Sequence, residues 1–145
     1  MRKYSREEAI NRMNALAKAN VPFLFIVDYK QEHAYVAERD EIDAASCLYQ
    51  FRGNGNAAPV STRYTGGIDW AFTPPSPAEY KRAFDLVRQN LLAGNSYLTN
   101  LTCKVPVTTN LSLKEIFLHS EALYKLWMKD RFVCFSPEIF VRIEK

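Results

Sequence analysis

Among the residues that could perform acid–base chemistry, Glu138 has the most informative surroundings. It follows Phe135, Ser136 and Pro137 and precedes a second apolar run, Ile139–Ile143. Because Pro137 fixes its own φ, it favours a turn between two extended segments. A carboxyl group held beside apolar side chains loses hydration, which raises its pKa and suits a general acid. From the residues alone, the simpler interpretation is a carboxylate that accepts backbone hydrogen bonds at the turn.

A second segment, residues 93–102, places polar side chains between apolar ones where a predicted helix passes into a predicted strand. Ser96, Thr99, Asn100 and Thr102 carry hydroxyl and amide groups that can hydrogen-bond either a ligand or water. Spacing by itself favours the simpler interpretation, a strand with one solvated face.

The other reactive residues form no recognised catalytic or metal-binding pattern. His33 and His119 are far apart in sequence, and no histidine–cysteine spacing is typical of zinc, so we expect no metal ligands in this chain. Residues 52–56 (RGNGN) lack the third glycine of a phosphate-binding loop. The three cysteines are widely spaced, which predicts free thiols, and the apolar runs around Cys103 and Cys134 predict burial.

Bulk composition excludes several functional classes. The chain has 145 residues, of which 48% are hydrophobic and 24% charged, as in ordinary globular proteins. Its net charge is +3, and the basic residues are dispersed among acidic ones, which argues against a nucleic-acid partner. No stretch approaches the ~20 apolar residues of a membrane span, and the N-terminus predicts an amphipathic helix rather than a targeting segment. We therefore expect a cytoplasmic protein without a membrane partner.

Capping boxes mark the starts of three predicted helices. The boxes are formed by Ser5 and Glu8, by Ser76 and Glu79, and by Ser112 and Glu115. The first helix spans about residues 6–19, and the second ends with Gly94 as its C-cap. The third runs through Leu118 and, in a longer version, through residues 123–127.

The remaining apolar runs predict strands. They lie at residues 23–27, 34–37, 96–107, 131–135 and 139–143. Residues 23–27 are expected to form a buried strand with 34–37 as its hairpin partner. Residues 41–52 fit either a short helix or a strand, and residues 53–75 form a loop or linker with a short extended stretch around Trp70. This order predicts an α+β fold with a mostly antiparallel sheet and packed helices.

Two of these segments resemble motifs of the chorismate-using enzymes. Residues 95–102 (NSYLTNLT) are similar to the GD-x-Y-Q-x-N-L-T motif of that family, and residues 135–141 (FSPEIFV) are similar to its S-P-E-R-F/L motif. One predicted helix separates the two segments, as in the family. The resemblance covers residues 76–143 best, and residues 1–75 are similar to the short N-terminal region of compact aminodeoxychorismate synthases.

Within the family, the resemblance points to component I of aminodeoxychorismate synthase. Asn100, Leu101 and Thr102 are the version typical of that branch, and Lys125–Met128 stand where tryptophan-sensing members have N-P-S-P-Y-M. Such an enzyme converts chorismate and ammonia into 4-amino-4-deoxychorismate, for 4-aminobenzoate and folate, with ammonia from a glutamine amidotransferase subunit. The alternatives are an anthranilate or salicylate/isochorismate synthase component, or a non-catalytic interaction domain that pairs its last strand with another chain.

The same resemblance implies that Glu138 is catalytic, as general acid or base at the hydroxyl that leaves C4 of chorismate. The family's catalytic lysine and its Mg²⁺-binding glutamates lie in later motifs that this sequence does not contain, and Lys145 is in no such motif. Asn95 and Ile139 replace the usual Asp and Arg, so no substrate-binding residue is assigned. Apolar residues on both faces of residues 139–143 also predict covering elements. We therefore expect the N-terminal half of a two-layered α/β sandwich, inactive alone, with Mg²⁺ held by the rest of the intact enzyme.

Overall fold

The computed structural model describes residues 1–59 and 64–136, which divide between two compact units. One unit contains Met1–Tyr64 and the chain from Leu113 onwards, and the other contains Thr65–Ser112. The helices are α1 (Arg6–Lys18), α2 (Pro77–Leu92) and α3 (Leu113–His119), with a single 3₁₀ turn at Arg39–Glu41 among the described residues. The strands are β1 (Lys3–Ser5), β2 (Phe23–Val27), β3 (His33–Glu38), β4 (Cys47–Phe51), β5 (Asn54–Gly55), β6 (Trp70–Phe72), β7 (Val107–Thr109), β8 (Tyr124–Met128) and β9 (Phe132–Ser136). Every strand pair between described residues is antiparallel, and the mixture of helices with these sheets confirms the predicted α+β class.

Sheet A joins β1, β3 and β2 in that order, and α1 packs on one of its faces. The β2–β3 hairpin turns at Asp28, whose carboxylate accepts hydrogen bonds from the backbone N–H groups of Glu32 (3.0 Å) and His33 (3.1 Å). The buried residues between α1 and the sheet are Ala9, Leu16, Ala34 and Val36. Because β2 is an edge strand and α1 packs on β3, no residue of β2 is buried and Phe25 remains 54% exposed, so the prediction of a buried strand at residues 23–27 was wrong.

Sheet B has the strand order β5-β4-β8-β9, so β8 is paired on both sides. Successive side chains of a strand point to opposite faces, and β8 follows this rule. Leu126 packs against the buried cluster of Ala37, Ile42 and Cys47, whereas Trp127 packs with Leu48 and Phe117 on the side of α3. The core around sheet B is formed by the buried residues of these two clusters, which are Ala37, Ile42, Cys47, Leu48, Phe117 and Trp127.

The β4–β5 connection shows why the Gly- and Asn-rich stretch forms a tight turn. Arg52 (φ 49°) and Gly53 (φ 86°) both have positive φ, the combination that two-residue type I′ hairpins require. Beyond the turn, the Asn56 side chain accepts a hydrogen bond from Tyr49 N and donates one to Cys47 O, both at 2.9 Å. The amide therefore continues the hydrogen bonding along the edge of β4 after β5 has ended.

The second unit combines α2 with a short β6–β7 ribbon, in which Trp70 faces Thr109 and Phe72 faces Val107. The Asn110 side chain joins the ends of this ribbon, accepting from Asp69 N (3.0 Å) and donating to Gly67 O (2.8 Å). No residue between Thr65 and Ser112 is buried, although the unit carries several large apolar side chains. Its helix is therefore held mainly by local interactions, above all by its caps.

Helix α2 begins with the predicted capping box. Ser76 Oγ accepts from Glu79 N (3.3 Å), Ser76 N donates to a Glu79 carboxylate oxygen (2.9 Å), and Pro77 occupies the first turn. We expect Ser76→Ala to destabilise α2 by about 1 kcal/mol, because one backbone N–H then lacks its acceptor. Hydrogen exchange of the α2 amides should show faster exchange in Ser76→Ala than in Ser76→Asp, which keeps a capping oxygen. Equal exchange in the two variants would contradict the capping role.

Two predicted elements are absent from the described structure. Of the predicted strand 96–107, only Val107 lies in a paired strand, although Pro106 O accepts one hydrogen bond from Thr73 N (3.1 Å). Pro106 itself has no N–H to donate to a partner. Residues 124–128 form β8 rather than the longer version of the third helix, because two flanking strands satisfy their backbone groups. The strand alternative for residues 41–52 is confirmed by β4.

The cysteines are free thiols, as predicted, but their burial differs from the expectation. Cys47 is buried in sheet B, Cys103 is half-buried, and Cys134 on the edge strand β9 is exposed. The prediction of burial was therefore wrong for Cys134 and only partly met for Cys103. An apolar sequence run cannot distinguish the two faces of an edge strand.

Candidate functional site

The segment after α2 carries the first family-like motif, and its start is fixed to the end of the helix. Gly94 adopts a positive φ of 74°, as the predicted C-cap requires. Asn95 then donates from its backbone N–H to Asn90 O and from its side chain to Asn90 Oδ1, both at 3.0 Å. The Asn95 side chain therefore helps to hold the segment against the end of α2. The Asp that the family usually has at this position is not needed for that structural role.

Residues 96–99 form a small hydrogen-bonded turn that presents its apolar side chains outward. Ser96 Oγ donates to Leu98 O (3.0 Å), and Thr99 Oγ1 donates to Ser96 Oγ (3.1 Å). Tyr97 and Leu98 are 96% and 91% exposed. The hydroxyls of Ser96 and Thr99 therefore satisfy each other locally, while an aromatic and an aliphatic side chain are available for contact.

The second family-like motif begins on β9. This strand pairs with β8 so that Ser136 faces Tyr124 and Phe135 faces Lys125. Ser136 is the last described residue, so Pro137, Glu138, the predicted strand at residues 139–143 and Lys145 lie outside the described residues. The β8–β9 hairpin thus fixes the position of Ser136, the first residue of the Ser136–Glu138 motif. The role of Glu138 stays a prediction. The two motifs belong to different units.

Neither histidine is arranged for catalysis or metal binding. His33 Nδ1 lies 3.4 Å from an Asp28 carboxylate oxygen at the exposed hairpin turn, and His119 packs edge-on against the Tyr64 ring at 5.4 Å. Within residues 1–59 and 64–136, no three His, Cys, Asp or Glu side chains are grouped closely enough to hold a metal ion.

Lys125 is a buried, hydrogen-bonded lysine that the sequence did not reveal. The residue is only 6% exposed, and its ammonium donates to Phe117 O (2.9 Å) and Ser120 O (2.8 Å) at the C-terminal end of α3. It also lies 4.8 Å from the centroid of the Phe117 ring. If residues 123–127 are taken as a strand, Lys125 and Leu126 point to opposite faces, which draws attention to the lysine. The prediction of a helix for these residues did not separate the two side chains in this way.

Burial lowers the pKa of Lys125 below its usual value. The unfolded chain therefore keeps a proton on this lysine to higher pH than the folded chain does. Between the depressed folded pKa and the unfolded pKa of about 10.4, unfolding takes up a proton, so the free energy of unfolding rises with pH. We expect wild type to become more stable relative to Lys125→Met as the pH rises toward about 10. Urea unfolding at each pH measures the difference, and a pH-independent difference would refute the assignment.

Comparison with protein families identifies this chain. The family model for chorismate binding enzymes matches residues 8–145. The chain belongs to the chorismate-binding enzyme family. Both motif segments lie inside the match, so the family resemblance of residues 95–102 and 135–141 is part of a similarity that extends over nearly the whole chain.

Two curated relatives of this chorismate-binding family member are similar in sequence. An uncharacterized PabA-like protein of Pasteurella multocida is 36% identical over 134 residues, which are 92% of this chain and 41% of the relative. An uncharacterized PabA-like protein of Haemophilus influenzae is 34% identical over 143 residues, which are 99% of this chain and 43% of the relative. The chain thus spans about two fifths of the length of these relatives. No solved structure matches it significantly.

The described chain also lacks a helix that is long and apolar enough to cross a bilayer.

Proposed function

We propose that the protein is component I of aminodeoxychorismate synthase. In this reaction ammonia replaces the C4 hydroxyl of chorismate, which leaves as water, to form 4-amino-4-deoxychorismate. The observation that carries the proposal is the Asn100-Leu101-Thr102 version of the first motif in a chain of the chorismate-binding family. The PabA-like names of both relatives agree with an aminobenzoate branch of the family.

In this proposal Glu138 is the general acid or base at C4. A hydroxyl is a poor leaving group, so its departure needs a proton from a positioned acid. Glu138 follows two residues after the end of β9, a strand held in register by five cross-strand residue pairs with β8.

The proposal also includes partners and a cofactor from outside the described residues. Chorismate is the substrate, a glutamine amidotransferase subunit supplies ammonia, and Mg²⁺ is bound by residues beyond this chain. The match covers 41% and 43% of the two relatives, so more than half of each relative lies outside it. We therefore propose that the 145-residue chain has no turnover by itself.

Glu138→Gln tests the catalytic assignment. In the whole protein, supplied with chorismate, ammonium and Mg²⁺, we expect kcat to fall by about a hundredfold, because an amide cannot donate the proton. Glu121→Gln is the matched control, since Glu121 is an exposed carboxylate and its loss should leave kcat unchanged. Wild-type kcat in Glu138→Gln would remove Glu138 from the mechanism.

Product analysis tests the proposed branch. Chromatography and mass spectrometry separate 4-amino-4-deoxychorismate from anthranilate and salicylate, and formation of either of the latter would reject the assignment. The 145-residue chain is assayed in parallel. Turnover by that chain above the level of its own Glu138→Gln variant would show that the chain suffices for catalysis.

A further inference from the structure

Strand β2 is an edge of sheet A, and its outer side has no partner strand within residues 1–59 and 64–136. Its five residues, Phe23–Val27, include no charge, no proline and no bulge, the devices by which proteins usually keep an edge strand from pairing. The opposite edge, β1, is only three residues long and carries Lys3. Of the two edges of this sheet, β2 is therefore the one suited to accept another strand.

The backbone groups on the free side of β2 belong to alternate residues. Asp28 N donates to His33 O (3.1 Å), and these two residues lie opposite each other when the β2–β3 register is continued by one position. Because hydrogen-bonded pairs recur at every second residue of an antiparallel ladder, Ile26 and Leu24 bond to β3 as well. The N–H and C=O groups that point away from β3 are consequently those of Phe23, Phe25 and Val27.

The same three residues carry an apolar surface beside α1. Phe23 packs with the cluster between α1 and the sheet, whereas Leu24 packs on the opposite face. By alternation, Phe25 and Val27 lie on the α1 face with Phe23, yet they are 54% and 43% exposed. An open groove continues this surface toward the helix, and its apolar lining residues are Ala9, Ile10, Met13, Val27 and Ala34. A strand added at this edge would place its own apolar side chains beside the groove.

A second copy of β2 complements this edge in hydrogen bonding, in side chains and in charge. When two antiparallel copies are related by a two-fold axis, Phe25 faces Phe25 of the second copy, and Phe23 faces its Val27. These are the residues whose backbone groups point outward, so the register satisfies them in mutually hydrogen-bonded pairs. No like charges meet at the ends of the strands, because Asp28 of one copy lies opposite Pro22 of the other.

We propose that two copies of this chain associate through β2, with their sheets A joined into one continuous sheet across a two-fold axis at Phe25. The two Phe25 rings pack against each other at the axis, and Phe23 of each copy covers Val27 of the other. The interface thus removes from water the half-exposed apolar side chains of β2, which a solitary edge strand leaves bare. It is independent of the chemistry proposed for chorismate.

Sedimentation equilibrium of the 145-residue chain over a range of concentrations tests the interface. We expect a reversible monomer–dimer equilibrium, and protection of the Phe25 amide from hydrogen exchange should rise in step with the dimer fraction. Phe25→Lys should raise the Kd for dimerisation at least about tenfold, because two like charges then face each other in place of two rings. Phe25→Glu should do the same. An equimolar mixture of these two variants should recover a heterodimer, since opposite charges meet at the axis.

Phe84→Lys is the matched control, because Phe84 on α2 is similarly exposed (48%) and belongs to the other unit. It should leave the Kd unchanged. A monomer at every concentration would overturn the proposal, and protection of its Phe25 amide would assign the covering of β2 to the same chain. A dimer weakened equally by Phe84→Lys and Phe25→Lys would place the contact elsewhere. Failure of the lysine and glutamate variants to combine, while both keep the wild-type circular dichroism, would refute the register.

Discussion

Phe117→Ala is expected to lower the free energy of unfolding of the chain by about 3–5 kcal/mol. Phe117 is fully buried between α3 and sheet B, where it packs with Leu48 and Trp127. Its ring also lies beside the Lys125 ammonium, so truncation removes apolar contacts and a cation–π contact together. Urea unfolding followed by tryptophan fluorescence and circular dichroism measures the loss.

Leu113→Ala is the matched control, because it truncates a large apolar side chain of the same helix that is 38% exposed. We expect it to cost less than about 1 kcal/mol, since little apolar area is returned to water. If the two variants were equally destabilised, α3 would not be anchored through Phe117. A loss below about 1 kcal/mol in Phe117→Ala would also contradict the core position of this ring.

Gly55→Ala is expected to lower the free energy of unfolding by about 3 kcal/mol, a typical cost when an added group forces the backbone to move. A Cβ on Gly55 would lie 3.0 Å from the Cα of Gln50 and would overlap the carbonyl oxygen of Tyr49. Both obstacles are backbone atoms of β4, so no side chain can rotate to make room. The β4–β5 pairing at Gln50 and Gly55 should therefore open, which urea unfolding and amide exchange at β4 detect.

Gly67→Ala provides the comparison for Gly55→Ala. A Cβ at Gly67 meets no atom within 4 Å, and the residue has no positive φ. The substitution should be neutral or slightly stabilising, by less than about 1 kcal/mol, because alanine restricts the unfolded chain. Equal changes in the free energy of unfolding at the two glycines would mean that the close approach of β5 to β4 is not the reason why position 55 requires glycine.

The functional assignment from sequence was correct at the level of the family and stays a proposal at the level of the reaction. Two short motifs identified the chorismate-using enzymes, and the match over residues 8–145 confirms that family. The branch depends on a few side chains around Asn100, and the catalytic role on Glu138, which lies outside the described residues. Product analysis and the Glu138→Gln variant address these two points separately.

The errors in the predicted elements share one physical cause. Residues 123–127 contain apolar side chains at helical and at alternating spacing, so local pattern does not decide between helix and strand. Pairing with β4, which is distant in sequence, decides for the strand. Residues 96–106 show the reverse case, since their alternation predicts a strand but pairing with the described chain begins only at Pro106 and Val107.

The sequence by itself determined the features that depend on neighbours three or four residues away. The capping boxes of α1 and α2, the C-cap at Gly94 and the Asp28 turn of the β2–β3 hairpin are of this kind, because their hydrogen bonds join residues three or four apart. Only the tertiary structure decided the burial of Lys125 and the exposure of Cys134. Each of these depends on which face of a strand meets another element, and that choice is made by long-range packing.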